Sequence, residues 1–147
     1  MKLKIDLVPS TVWYSNLRNK ISNEEWDKIR KKSYSDSNHV CAICGSKGKL
    51  NCHEIWEYND QTHVQKLKGF TALCDNCHMI KHIGFAGIQS NKRLLDMDNL
   101  IDHFMNVNNV NKEIFDKHRE ESFRIWRERS KHNWKTDLSK WAVIVKK

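Results

Sequence analysis

Two C-x2-C pairs, Cys41-Ala-Ile-Cys44 and Cys74-Asp-Asn-Cys77, stand either side of Asn51-Cys52-His53-Glu54. The second pair runs directly into His78 and His82. A C-x2-C turn offers two sulfurs from one tight loop, and thiolates hold a tetrahedral ion at about 2.3 Å. Cys41, Cys44, Cys74 and Cys77 would fill every position of a structural Zn2+ site and leave none for catalysis. Between Cys44 and Cys74 lie 29 residues. That is wider than the common spacing of about 15–20, and a hairpin between the knuckles would use the extra length. Redox-active dithiols are the competing reading, but neither pair has the strand–helix context they need.

The histidines suggest a second, reactive site. His78 and His82 are four positions apart, so on a helix they share a face and can grip one catalytic divalent metal. His53, on the segment between the knuckles, is the candidate general base on water. A metal there would stabilise charge developing on a phosphodiester. Lys81 could meet phosphate as a point charge. Cys52 is a possible soft ligand. Glu54 and Glu57 are oxygen ligands in principle, although solvated strand carboxylates are commoner. His39 and His63 belong to no constellation and read as surface residues.

These residues need positioning elements. Ser22 and Glu25 form a capping-box pattern with Ile21 and Trp26 as its hydrophobic staple, which predicts a helix over 23–33. Leu3, Ile5 and Leu7 alternate with polar residues and predict a short N-terminal strand. Cys41 to Gly45 reads as a tight knuckle. Strands are expected over 50–58 and 63–73, the second interrupted at Gly69, with an Asn59-Asp60 turn between them. Asp75 or Asn76 would cap a short helix through His82, stopped by Gly84. Helices over 98–107 and 112–132 follow, separated at Asn108-Asn109. The organisation is one domain, 1–147: an N-terminal strand and helix (1–38), a metal core (39–84) and a C-terminal helical extension (91–147).

The formal charge of +8 and pI near 9.3 suit an anionic partner, with DNA the usual one. A protein partner is the other possibility, through Trp13, Tyr14, Trp134 and Trp141, although core packing is the commoner role of such residues. Arg124, Arg127 and Lys131 are candidate nucleic-acid contacts, or simply a solvated helix face. No stretch has the roughly 20 apolar residues that cross a bilayer, and Met1 to Pro9 lack the unbroken apolar stretch expected of a signal peptide. A cytoplasmic location follows, where paired cysteines are metal ligands more often than disulfides.

From Cys41 to His82 the chain resembles the HNH endonucleases of the ββα-metal superfamily. The resemblance rests on Cys41-x2-Cys44, the Cys52-His53 step and Leu73-Cys74-x2-Cys77-His78 with Lys81 beyond. It implies an α+β fold: a zinc-stapled, treble-clef-like ββα core with flanking N- and C-terminal helices. It implies a metal-dependent DNA endonuclease hydrolysing phosphodiester bonds, with His53 as base. His78 and His82 would hold a second divalent ion (Mg2+, Mn2+, Ni2+ or Zn2+) beside the structural zinc. A catalytically reduced zinc module binding nucleic acid or a protein is the alternative. Two positions depart from the family pattern: Cys52 stands where Asp or His is usual, and Gly69 falls near the place of the middle Asn.

Overall fold

The structure is a computed structural model that describes residues 1–12, 15–83 and 96–146. Trp13, Tyr14 and Gly84 lie outside the described residues.

The fold is α+β, with a three-stranded sheet in the order β1-β2-β3 and helices packed around it. Helix α1 spans Asn23–Asp36, and the Glu25 N–H donates to Ser22 Oγ at 3.1 Å. The capping pattern therefore starts the helix where the sequence placed it. Ile21 and Trp26 share one apolar cluster with Leu17 and Leu67, which anchors α1 to the sheet.

Strands β1 (Asn51–Asn59) and β2 (Val64–Leu73) pair antiparallel, Asn51 opposite Leu73 and Asn59 opposite Val64. Asn59 shapes the turn by accepting the Gln61 and Thr62 N–H groups on its side-chain oxygen. The expected interruption at Gly69 is a bulge rather than a break. Ile55 faces Gly69 and Trp56 faces Leu67, so Lys68 is the extra residue. Such a bulge bends the strand without ending it.

Helix α2 (Asp75–Lys81) follows β2 with one residue between. Its cap is Cys74, not Asp75 or Asn76: Cys74 Sγ accepts the Cys77 N–H at 3.4 Å. Helix α3 (Met97–Asn108) is capped by Asp96 and ends at Asn109, which takes the left-handed conformation. Helix α4 (Lys112–Arg129) is capped by Asn111 and ends three residues before the expected His132. Strand β3 (Lys135–Asp137) runs parallel to β2 over three residues. Its three residues carry no period that the sequence could display.

The N-terminal segment is not a strand. Leu3 and Ile5 are buried in the core, as their alternation implies. Their backbone N–H groups donate instead to the Asn108 side chain and to His118 Nε2, both at 2.9 Å. Side chains of α3 and α4 satisfy this backbone, so it needs no ladder.

Two apolar clusters result. The larger joins Leu3, Ile5, Leu73, Ile80, Leu100, Phe104 and Phe115 with Cys41, Cys74 and Cys77, beneath α2. The smaller lies between α1 and β2 and collects Trp56, Phe70 and Trp141 at its margin.

Candidate metal centres

Alternation along β1 divides the site. Cys52 and Trp56 pack with the α1 cluster, so His53 points to the opposite face, towards α2. Thr71 is its partner across the ladder, two residues before β2 ends. Because α2 starts immediately after β2, its first turns pass over His53. His78 and His82 lie one turn apart on that side. The three rings converge, with centroids 5.5 Å (His53–His78), 5.0 Å (His53–His82) and 4.8 Å (His78–His82) apart. One nitrogen from each lies within 4.8 Å of the others, a set that could hold one ion.

The thiols converge separately. The Ala42 N–H donates to Ala72 O at 2.9 Å and ties the first knuckle to the end of β2, beside Cys74. The knuckle closes through the Gly45 N–H on Cys41 O, with Gly45 at a positive φ of 77° that suits glycine. The four sulfurs of Cys41, Cys44, Cys74 and Cys77 lie within 4.8 Å of one another, and Cys44 Sγ is 3.6 Å from Cys74 Sγ. Tetrahedral thiolates at about 2.3 Å from an ion would sit about 3.8 Å apart. His103, which no motif in the sequence marks, places Nε2 3.2 Å from Cys77 Sγ. No spacing pattern marked it, because α3 reaches the knuckles only in the folded chain.

The electrostatics of the two sets differ. Burial, then the neighbouring His82 and His78, hold the His53 imidazole down to about 2. Burial and His82 bring His78 to about 4, and burial lowers His82 as well. These imidazoles are neutral at pH 7 and ready as ligands. Among the thiols, burial pushes Cys41 up, but the N–H groups of Cys44, Cys74 and Ile43 outweigh it and bring Cys41 down to about 7. Burial and the nearby Cys41, Cys74 and Cys44 push Cys77 well up. Sulfurs this close cannot all ionise unless a cation offsets them.

A cavity of about 580 Å³ opens beside the histidines. Asp6, Arg18, Trp26, Glu54 and Gln65 line it with His53, His78 and His82. Burial raises Glu54, which accepts the Leu17 N–H at 3.2 Å and is thus a structural acceptor rather than a solvated carboxylate. The Gln65 amide is fully buried and has no hydrogen-bond partner among the described residues.

Several expected residues stand elsewhere. Cys52 belongs to neither ligand set, although its side chain reaches the cavity. Glu57 pairs loosely with Lys68 at 4.0 Å. His63 does have company: it stacks on His132 at 4.1 Å and meets Trp134 edge-on. Lys81, Arg124, Arg127 and Lys131 do not line the cavity. Arg124 and Lys131 are instead engaged by Glu121 and Glu128 on α4 and just beyond its end. Trp134 is buried, and Trp141 packs edge-on against Phe70.

One family model matches residues 31–138: the NapC/NirT cytochrome c family, N-terminal region. The chain belongs to this family. No curated protein and no solved structure matches it. Membership in the NapC/NirT cytochrome c family overturns the HNH resemblance and what was taken from it. The DNA endonuclease and its reduced zinc-module alternative, the nuclease assignment, and the Zn2+ and second divalent ion assigned as that family's cofactors all give way. One run of residues is common to both patterns: Cys74-Asp-Asn-Cys77-His78 also has the C-x-x-C-H form that attaches c-type haem.

A NapC/NirT cytochrome implies haem, and the donors here do not fit it. Attachment needs two accessible thiols and the following imidazole against one flat macrocycle. Cys74 and Cys77 are buried and face Cys41 and Cys44. Neither lines the cavity. His78 turns to His53 and His82 instead.

No helix among the described residues is long and apolar enough to cross a membrane.

Proposed function

We propose that this chain is a metal-binding protein whose working centre is His53, His78 and His82. Three imidazoles hold an ion from one side and leave coordination positions open to an incoming ligand. The observation that carries the reading is the convergence of these three nitrogens beside the 580 Å³ cavity. Buried neutral imidazoles suit a first-row transition ion. The unpartnered Gln65 amide and the Arg18 guanidinium on the cavity lining suit a polar or anionic ligand. His53 then serves as a ligand rather than as a base acting on water.

Isothermal titration of the purified protein with Co2+ and Ni2+ tests this. One binding event should disappear in His53→Ala, His78→Ala and His82→Ala and persist in Cys44→Ser. Unchanged stoichiometry in all three histidine variants would sink the reading.

Family membership favours a second reading, electron transfer, with a protein-bound ion rather than haem as the redox group. A reversible one-electron wave in voltammetry of the purified protein supports it; its absence between the solvent limits removes it.

The rest of the organisation belongs to the same proposal. One domain carries the ions, its two knuckles, hairpin and α2 arranged in treble-clef-like fashion. Five free thiols suit a reducing compartment such as the cytoplasm. The charge of +8 suits a polyanionic partner, DNA or an acidic protein. Binding to such a partner should weaken steeply with salt.

A further inference from the structure

We infer that Cys74 and Cys77, although spaced for haem attachment, are committed with Cys41 and Cys44 to one thiolate-bound ion, and that His103 positions this set from outside. The inference is independent of the reading of the histidine centre, whose ligands are three other residues.

Three observations converge. The first knuckle is fastened to β2 by a backbone hydrogen bond, Ala42 N–H to Ala72 O, two residues before Cys74. That bond brings Cys41 and Cys44 onto Cys74 and Cys77. The sulfurs already stand near tetrahedral spacing. Three of the four cysteines are buried in the main apolar cluster with Leu73, Ile80 and Phe104. A macrocycle could reach them only by dismantling that cluster. An ion needs no additional space.

His103 supplies the outer contact. Its Nε2 sits 3.2 Å from Cys77 Sγ, within reach for donating its N–H to a thiolate. Donors to ligating atoms orient them and tune the metal, and their loss typically costs about 10–100-fold in affinity. His103 touches a ligand and no ion, so it is a positioning residue.

The test uses the full chain, produced once in a host with c-type haem maturation and once without. Mass spectrometry should show no covalent haem in either, and metal analysis should show one ion that a strong chelator removes. Native alkylation mapped by peptide should find Cys41, Cys44, Cys74 and Cys77 protected, and reactive after chelation. This readout needs no variant and so survives misfolding of a cysteine mutant. With Co2+ loaded, the sulfur-to-cobalt charge-transfer band should remain in His53→Ala and His78→Ala. It should shift in His103→Ala, with about 10–100-fold weaker retention against chelator. Haem on Cys74 and Cys77, or thiols equally reactive before and after chelation, would overturn the inference. A band unmoved in a folded His103→Ala would overturn the positioning role.

Discussion

The two ligand sets meet at the same short helix, which carries Cys77 and His78, and are built in opposite ways. The thiols come from two backbone turns, closed by hydrogen bonds of the main chain and sealed in the larger core. The imidazoles come from a strand and a helix, and a cavity leaves them open on one side. The first set is closed because its four sulfurs face one another within 4.8 Å. The second has three donors and room beside them. The same helix can thus be held rigid by one set while it presents the other, the arrangement a precise site requires.

The largest expected effect tests the closed set. Cys74→Ser removes both a ligand and the cap of α2. Ion binding at such sites is folding free energy, so a loss of about 4 kcal/mol or more is expected, lowering the melting temperature by ~10 °C. Melting within ~2 °C of the parent, followed by circular dichroism, would erase the contrast between the two sets.

Acid should act mainly on the open set. Burial holds His53 at about 2 and His78 at about 4, against 6.5 for free imidazole. Below pH 6.5 the unfolded chain takes up protons that the folded chain refuses. Stability is therefore full above 6.5 and falls steadily as the pH drops towards 4, by several kcal/mol. An ion at the centre adds to the same sign, because protons compete for its ligands. Urea unfolding at pH 7.5, 6 and 4.5 measures the slope, and His53→Ala should flatten it. An equal slope in that variant assigns the acid sensitivity elsewhere.

His78→Ala should sharpen the comparison. Ion binding at the histidines should weaken at least tenfold, about 1.4 kcal/mol, while the melting temperature stays within ~3 °C. A collapse of the fold would mean that His78 supports structure and not an open centre.

The smallest effect concerns the charged face of α4. Arg124 is exposed and engaged by Glu121, so Arg124→Ala should change stability by less than ~0.5 kcal/mol. Any larger loss by calorimetry would show that α4 contributes to more than its own solvation.

Much of this was legible without coordinates. The capping pattern at Ser22 and Glu25, the hairpin about Asn59 and the short helix with His78 on it and His82 at its C-cap were all local matters, in which neighbours in sequence satisfy one another. His103, β3 and the buried environment of Glu54 were not. Each depends on a partner far along the chain, and no spacing records such a partner. The family is ambiguous in the sequence for a related reason. A C-x-x-C-H run is consistent with a knuckle followed by a ligand and with a haem attachment, and the run alone carries both.

Sequence by itself determined which donors exist and how they are paired locally: two thiols per knuckle and two imidazoles one helical turn apart. Only the tertiary structure decided which pairs meet. The bond from Ala42 to Ala72 joins the knuckles, and the pairing of β1 with β2 carries His53 to α2. These are long-range choices, fixed by burial of the surrounding core, and they turn the thiols away from a haem and the imidazoles towards one another.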